Sequence, residues 1–252
     1  MTDYLREIDT NNLWPVILQE AKYVADEFPL LAEFYRRNIL QHDNYDAALA
    51  YVLAEKLSDS VEQISDWQYF LLDVMSNNPA IGQAAMQDLL CQLQGNASIK
   101  DNYTPLLYFG GYQALQCYRF AHDCWNTNKR PVANYIQGRM VTLFGVDIHP
   151  AAVIGTGIFM DHAVGIVIGE TAVIEDEVTL FQSVTLGGAG KGVGDRHPKV
   201  RKGAFIGSGA VIFGNIEIGE YAKVAGGAVV VKPVAANTTV VGPIAQAIAP
   251  RK

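Results

Sequence analysis

The stretch Ile168-Gly-Glu-Thr-Ala-Val-Ile174-Glu-Asp-Glu-Val-Thr-Leu180-Phe-Gln-Ser-Val-Thr-Leu186 carries an aliphatic residue at every sixth position. A helix would repeat its apolar residues every three or four positions, and a half-buried strand every second position. A period of six is typical of a repeat in which a short strand and a turn form one flat face, with the aliphatic residue pointing inward. Stacked faces of this kind would enclose a narrow aliphatic core.

The same period extends in both directions from this stretch. The further positions are Ile148, Ile154, Met160 and Ile166 before it, and Ile206, Ile212, Ile218, Val224 and Val230 after it. We expect the corner glycines Gly155, Gly169, Gly207 and Gly219 to supply the permissive backbone that tight turns require. A β-sandwich would instead need strict alternation with hairpin signals, so the sequence favours a solenoid of parallel strands.

Residues 187–203 interrupt the repeat. The segment reads Gly187-Gly-Ala-Gly-Lys-Gly-Val-Gly-Asp-Arg-His-Pro-Lys-Val-Arg-Lys-Gly203 and is rich in glycine and cations. It is predicted to project from the solenoid as a loop. Loops held by a rigid scaffold often carry function.

The region before the repeat follows a helical period. Apolar residues recur there at three- and four-residue intervals, and polar segments separate the stretches. The predicted helices cover residues 14–26, 30–40, 45–57, 67–75, 79–93, 105–125 and 131–144. The predicted fold class is therefore α+β, with an all-α N-terminal domain over residues 1–144 and a parallel β-helix domain over residues 145–252, whose active-site loop is 187–203.

Composition narrows the class of protein further. The 252 residues carry a net charge of −7 without a basic face, so nucleic acid is not an expected partner. The three cysteines lie in the helical half, which indicates reduced thiols in the cytoplasm. Neither a signal peptide nor a window of about 18 apolar residues is present. We expect a cytoplasmic protein that does not enter a membrane.

Several motifs together closely resemble the serine O-acetyltransferase family of the hexapeptide-repeat acyltransferases. The motifs are Asp147-Ile-His-Pro150, Asp161-His-Ala-Val-Gly165, Gly169-Glu-Thr171, Gln182-Ser-Val-Thr-Leu-Gly-Gly188 and Gly194-Asp-Arg-His-Pro-Lys199. The resemblance extends into the helical half, where Thr104-Pro-Leu-Leu-Tyr108 also matches. Hexapeptide repeats alone would indicate only a broad superfamily, whereas the combination is much more specific.

This resemblance implies a left-handed parallel β-helix that forms a homotrimer, with each active site between neighbouring subunits. It also implies that the helical domains pair two trimers into a hexamer. The implied reaction transfers the acetyl group of acetyl-CoA, a co-substrate rather than a permanently bound cofactor, to L-serine in cysteine biosynthesis. The alternatives are a related amino alcohol such as homoserine, another acyl-CoA, or a non-catalytic β-helix scaffold.

Acetyl transfer to a hydroxyl needs a base, and histidine suits that role near neutral pH. The resemblance implies that His162 deprotonates serine and that Asp147 accepts a hydrogen bond from the other ring nitrogen, fixing its tautomer. Without the surrounding motif, His162 would be interpreted as a corner residue and Asp147 as a turn former.

The resemblance also implies that Asp161, Arg196 and His197 hold the amino acid, since a carboxylate suits its ammonium and an arginine suits its carboxylate. His197 is also a candidate donor to the developing oxyanion. A solvated cationic loop is the alternative for Arg196 and His197. Many relatives have an aspartate before the Thr-Pro-Leu-Leu segment; ungapped alignment places Asn96 there, and a shifted loop would place Asp101 there.

The resemblance places the CoA arm along the β-helix near small and cationic residues. The candidates are Gly187, Gly188, Ser208, Lys223 and Gly226, with Lys232 as a further phosphate partner. Packing between coils would account equally well for the glycines. Glu170 fits two interpretations, either a carboxylate supporting the site or a surface corner residue.

Other chemistries find less support in the sequence. No phosphate-loop string Gly-x-x-x-x-Gly-Lys-Ser/Thr occurs, no histidine pairs suggest a zinc site, and no Gly-x-Ser-x-Gly elbow supplies a nucleophile. We therefore expect direct attack without a metal or an acyl-enzyme. The sequence ends at Pro250-Arg-Lys252 without the long isoleucine-ended tail of many relatives, so we expect no tail-mediated complex with cysteine synthase.

Overall fold

The computed structural model describes residues 9–10, 12–190 and 193–246. The C-terminal residues invoked for the tail, Pro250–Lys252, lie outside the described residues. The helices are α1 (Leu13–Glu27), α2 (Pro29–Tyr35), α3 (Tyr45–Leu57), α4 (Ile64–Asn77), α5 (Ala80–Gly95), α6 (Thr104–Tyr108), α7 (Gly110–Asn126) and α8 (Arg130–Phe144). A π-helical turn at Arg36–Leu40 extends α2, and a 3-10 turn at Val61–Gln63 precedes α4.

The helical period predicted these elements with one difference. The expected helix over residues 105–125 is two helices, because Phe109 adopts an extended backbone (φ −89°, ψ 105°) between α6 and α7. Two glycines, Gly110 and Gly111, follow this break. None of the helices in the described part of the chain combines the length and apolar character needed to cross a membrane.

Parallel strands of two or three residues form three faces of a prism. The first face holds β1 (Asp147–Ile148), β4 (Val167–Ile168), β7 (Thr185–Gly187), β10 (Val211–Phe213) and β13 (Val229–Val230). The second face holds β2 (Val153–Ile154), β5 (Val173–Ile174), β8 (Lys199–Val200) and β11 (Glu217–Ile218). The third face holds β3 (Phe159–Met160), β6 (Thr179–Leu180), β9 (Phe205–Ile206), β12 (Lys223–Val224) and β14 (Thr239–Val240).

The chain visits the three faces in turn, and every face keeps its register from coil to coil. On the first face, Ile168 pairs with Ile148 and Leu186, and Ile212 pairs with Leu186 and Val230. The residues predicted from the period of six are buried inside the prism. Each such side chain contributes about 1.5–3 kcal/mol relative to an exposed position.

The coil resumes earlier than the sequence predicted after the glycine-rich segment. Val200 in β8 is fully buried and pairs in register with Ile174 and Ile218. Val200 lies six positions before Ile206, so it continues the repeat from within the predicted loop 187–203. The excursion therefore lies between the end of β7 and the start of β8.

The four corner glycines are required for a different reason than expected. None of them has a positive φ, which instead occurs at other corner residues such as Gly157, Gly209 and Gly227. At Gly207, a Cβ would lie 2.6 Å from the backbone nitrogen of Gly226 in the next coil. Close approach between coils, rather than backbone freedom, excludes a side chain there.

A buried polar cluster joins the helices to the first coil of the prism. Asp88 of α5 is fully buried and accepts hydrogen bonds from Arg119 of α7 and from the backbone N–H of Ile158. Arg119 also donates to the carbonyl of Gly155 at 2.8 Å, and the Tyr118 hydroxyl donates to the carbonyl of Ala152. Helices α5 and α7 are thereby fixed against the β-helix.

Candidate active site

His162 lies at the edge where the third face turns into the first. Strand β3 ends at Met160, and the histidine turn, residues 161–165, leads into β4. His162 and Ala163 both have left-handed backbones, with φ of 55° and 67°. Other corners share such values, for example Ser183, so this conformation belongs to the coil geometry rather than to His162 alone.

The N-terminal end of helix α7 packs against the histidine turn. A Cβ on Gly111 would lie 2.6 Å from the carbonyl oxygen of Met160 and 2.9 Å from the Cβ of Ala163. Only glycine therefore allows the start of α7 to pack this closely. The turn presents His162 with 74% of its side chain exposed, while Asp161 beside it is 17% exposed. The Nε2 atom of His162 lies 3.5 Å from Oδ2 of Asp161.

Asp147 begins β1 at the same edge of the prism. Its backbone N–H donates to the carbonyl of Ile166, just after the histidine turn. Its carboxylate accepts a hydrogen bond from Nε2 of Gln137 in α8 at 2.7 Å. Within the described residues, Asp147 forms no ion pair with His162. Gln137 was missed by the sequence analysis, because nothing in a helical pattern marks a contact to a distant strand.

His197 lies at the next edge, where the first face turns into the second. Its side chain is buried, and its ring packs against the backbone of Gly169 and Gly188. Nδ1 accepts a hydrogen bond from the backbone N–H of Thr171 at 3.2 Å and lies 2.8 Å from the Thr171 hydroxyl. Burial, followed by the neighbouring Arg196 guanidinium, lowers the pKa of His197 below its ordinary 6.5, so the ring is neutral near pH 7.

Arg196 points its guanidinium at Glu170. The Nη2 atom of Arg196 lies 2.6 Å from Oε2 of Glu170, and Nη1 donates to the carbonyl of Gly194 at 3.1 Å. This hydrogen bond holds the pKa of Glu170 below its ordinary value. The sequence left open whether Glu170 supports the site or is a surface corner residue. In the structure, Glu170 contacts Arg196, a predicted substrate-binding residue.

Thr171 and Lys199 anchor the base of the loop. The Thr171 hydroxyl oxygen accepts the backbone N–H groups of Arg196 and His197 at 3.0 and 3.2 Å. The Lys199 ammonium donates to the carbonyls of Thr171 and His197 at 2.6 and 3.0 Å. The Gly169-Glu-Thr171 motif does not predict the contact of its threonine with the loop, because that contact depends on the fold.

Asn96 caps the end of α5 beside the strand that leads to Asp161. Gln92 in the last turn of α5 donates to the Met160 carbonyl at 3.4 Å. The Oδ1 atom of Asn96 accepts hydrogen bonds from the backbone and hydroxyl of Ser98. Asp101 uses both carboxylate oxygens on Thr104 at the start of α6, so in this structure it caps a helix.

The candidate CoA residues lie along the first and third faces. A Cβ on Gly187 would lie 2.6 Å from the Phe213 ring, and a Cβ on Gly226 would lie 3.0 Å from the Ser208 carbonyl. The Ser208 hydroxyl donates to Gln182 at 3.1 Å, and Lys223 is exposed on β12. Coil packing thus explains both glycines, while Lys223 remains available to an anion.

The predicted site residues therefore form two clusters on different edges of one chain. Asp161 and His162 belong to one cluster, and Arg196 and His197 belong to the other. Asp161 and His162 precede β4, whereas Gly169, beneath His197, follows it. The first face lies between the two clusters. No group of three or more histidine, cysteine or acidic side chains is arranged to hold a metal ion in the described parts of the chain.

Comparison with known proteins gives consistent matches over nearly the whole chain. Residues 13–117 match a family model described as the N-terminal region of serine acetyltransferase. A serine acetyltransferase of Haemophilus influenzae is 46% identical over 233 residues, covering 92% of this chain and 87% of the relative.

Solved structures agree with the sequence matches. A serine acetyltransferase in complex with CoA is 44% identical, with a TM-score of 0.88, and the alignment covers 94% of this chain and 99% of that one. The Neisseria gonorrhoeae serine acetyltransferase in complex with serine is 37% identical, with a TM-score of 0.90 and coverage of 97% and 99%. This likeness confirms the predicted fold class, an all-α region followed by a left-handed parallel β-helix.

Proposed function

Because this chain belongs to the serine acetyltransferase family, we propose that it transfers the acetyl group of acetyl-CoA to the hydroxyl of L-serine. The products are O-acetyl-L-serine and CoA, and the reaction serves cysteine biosynthesis. The relatives with bound CoA and bound serine support these two ligands. The single observation that carries the chemistry is the pair of histidines in contrasting surroundings, one exposed beside a carboxylate and one buried and neutral.

His162 acts as the general base in this proposal. Its exposed ring can accept the proton of the serine hydroxyl while the serine Oγ attacks the thioester carbonyl carbon. The C–S bond of the resulting tetrahedral intermediate then breaks, and the imidazolium returns its proton to the CoA thiolate. No acyl-enzyme forms in this mechanism, and the three cysteines all lie in the helical half.

Asp147 supports the base in the proposed mechanism. Its carboxylate lies at the edge where the histidine turn enters β4, and Gln137 fixes one of its oxygens. The other oxygen can accept the second ring N–H of His162 after a rotamer change, which an exposed side chain undergoes on a picosecond to nanosecond timescale. This contact would stabilise the imidazolium formed during the reaction.

The proposed amino-acid site uses the charges of both clusters. Arg196 offers a fork of N–H donors to the α-carboxylate, and Glu170 holds that fork in the free protein. Asp161, with Asn96 beyond β3, would receive the α-ammonium. His197 would donate from Nε2 to the developing oxyanion, in the way that such donors stabilise tetrahedral intermediates.

Acetyl-CoA would lie along the faces of the prism between these clusters. An extended pantetheine arm would pass the exposed Ser208 and Gly226 and the partly exposed Gly187 and Gly188, and Lys223 with Lys232 would meet its phosphates. Lys223 and Lys232 are both exposed, which supports this assignment.

We further propose that a homotrimer completes each site and that the helical domain, residues 1–144, pairs two trimers. His162 and His197 occupy different edges of one chain, so a neighbouring chain related by a three-fold axis would bring one edge against the other. The β-helix domain, residues 145–252, would then supply residues from two subunits to each site.

The test is the release of CoA thiol from acetyl-CoA, measured with serine, with homoserine and without an acceptor. We expect serine-dependent turnover that falls by about 10²–10⁴ in His162→Asn, the range of a positioned general base. His42→Asn, a substitution in a polar turn of the helical domain, is the matched control. Equal rates in wild type and His162→Asn would eliminate His162 as the base, and faster turnover of homoserine would overturn the substrate assignment.

A further inference from the structure

The hydrogen bonds around Thr171 determine which nitrogen of His197 carries the proton. A hydroxyl has two lone pairs and one proton. The Thr171 oxygen already accepts two backbone N–H groups, from Arg196 and His197. Both lone pairs are therefore occupied. Two acceptors face the hydroxyl proton, the Asp195 carboxylate and Nδ1 of His197, and of these Nδ1, at 2.8 Å, is the one within hydrogen-bond geometry.

The backbone N–H of Thr171 points at the same nitrogen from 3.2 Å. With two donors directed at it, Nδ1 must act as the acceptor, and a neutral imidazole then carries its proton on Nε2. Nε2 has no hydrogen-bond partner among the residues that the structure describes. It packs against the backbone of Gly169 and Gly188, where a Cβ would be 2.0 and 3.1 Å away. It is not among the fully buried side-chain atoms without a partner in the described residues, so its N–H can reach a ligand.

We propose that Thr171 is a positioning residue that fixes His197 as the Nε2–H tautomer and so makes it a hydrogen-bond donor to the reacting carbonyl oxygen. The role at the carbonyl rests on the proposed function, whereas the tautomer does not. His197 is a donor in this arrangement and cannot replace His162 as the base.

The surroundings of His197 favour the neutral ring. The charged and titratable groups that act on it are Arg196, Lys199, Glu170 and His149, of which two are permanent cations and one is an anion. The Lys199 ammonium is bound to the carbonyls of both Thr171 and His197. This ammonium is itself paired with Asp195, so the like charge that chiefly opposes a protonated imidazole is the Arg196 guanidinium. Among the described residues, no carboxylate is hydrogen-bonded to the ring.

The kinetic test compares Thr171→Val with Thr171→Ser in the full chain. Valine keeps the branched shape and the backbone N–H but removes the hydroxyl, whereas serine retains the hydroxyl. We expect Thr171→Val to lower kcat about 10- to 100-fold, somewhat less than the loss of an oxyanion donor itself. Thr171→Ser should recover most of that loss. Thr156→Val, which removes a corner hydroxyl bonded to Asp176, is the matched control.

The distribution of the effect between kcat and KM separates positioning from loop anchoring. A loss of the tautomer lowers kcat, whereas a displaced loop would move Arg196 and raise KM for serine. Adding Thr171→Val to His197→Ala should cost little further, because the two residues act as one unit. Additive losses, or a change confined to KM, would overturn the proposal.

The tautomer of His197 can also be measured directly, in protein that shows no turnover. Solid-state NMR of protein labelled with 15N-histidine distinguishes protonated from unprotonated ring nitrogens, and His197→Ala identifies the His197 signals. We expect a protonated Nε2 and a bare Nδ1 near pH 7.5 in wild type and in Thr171→Ser, and a mixture in Thr171→Val. An Nδ1–H tautomer in wild type would refute the positioning role, whereas absent serine turnover with the expected spectrum would refute only the proposed function.

Discussion

The ring of His197 lies so close to Gly169 that a Cβ on Gly169 would be 2.0 Å from both Cδ2 and Nε2. The methyl group of Gly169→Ala would therefore expel the ring from its buried position. We expect kcat to fall about 10²-fold or more, since the proposed oxyanion donor moves away. Steady-state kinetics with serine and acetyl-CoA measures this loss.

Gly138→Ala is the matched control for that substitution. Gly138 lies within α8, and a Cβ there would meet nothing within 4 Å. Alanine is also the better helix former, so we expect unchanged turnover and a stability gain of about 0.5–1 kcal/mol. Full activity in Gly169→Ala would mean that the position of the His197 ring is not needed for the reaction.

The ring of His197 should be neutral at and above neutral pH. Burial and Arg196 lower its pKa below the ordinary 6.5, so the ring gains a proton only as the pH falls below that value. A loss of kcat/KM between pH 8 and pH 7 must then come from another group. In His197→Ala, kcat should fall about 10²–10³-fold, while the pH at which kcat/KM reaches half of its plateau should stay the same; a shift of that pH would show that protonation of His197 limits activity.

Glu170 should weaken serine binding, because it holds the guanidinium that the substrate carboxylate needs. The Glu170–Arg196 pair is part-exposed, and such a pair is worth about 1 kcal/mol or less. Glu170→Gln removes the competing charge, so we expect KM for serine to fall about two- to fivefold with kcat unchanged. Glu175→Gln, which breaks an ion pair with Arg201, is the control. A higher KM in Glu170→Gln would show that Glu170 instead orients Arg196 for binding.

The buried pair Asp88–Arg119 should matter more for stability than exposed pairs do. Arg119→Met leaves the fully buried carboxylate of Asp88 without its counter-charge, which typically costs about 3–5 kcal/mol. Burial already raises the pKa of Asp88, so this cost should shrink as the pH falls and the carboxyl takes up a proton. Urea denaturation at several pH values measures both effects. Arg201→Met, at an exposed network, should cost about 1 kcal/mol or less.

The period of six residues was sufficient to predict the prism, because each coil must place one aliphatic side chain inward on every face. Even Val200, assigned to the loop, obeys this spacing relative to Ile206 and is buried. The reason for the corner glycines was not predictable. Contacts between coils depend on which residues stack, and the sequence period does not show whether a glycine faces a backbone atom or a ring.

The candidate site was predictable only as a set of motifs. The residues Asp161, His162, Arg196 and His197 came from their resemblance to a family, and their roles stay predictions. The contacts of Thr171, Glu170 and Gln137 could not be predicted, because each joins segments at least ten residues apart through the path of the loop or the packing of α8. A linear motif does not contain that path.

The division of His162 and His197 between two edges predicts complementation between inactive chains. In a cyclic trimer with sites between subunits, each site takes one histidine from each of two neighbours. Co-expression of equal amounts of His162→Asn and His197→Ala chains should then restore activity. A given site has an intact His162 with a chance of one half and an intact neighbouring His197 with a chance of one half, so about a quarter of wild-type activity is expected.

Sites built within single chains would give a different result. Every chain in the mixture carries one damaged histidine, so no complete site could form and the activity would stay at the level of the single variants. The control is a mixture of the two proteins purified separately, which should stay inactive until the subunits exchange. Activity that appears only in co-expressed or exchanged trimers would locate each site between two chains, and its absence from verified mixed trimers would rule that arrangement out.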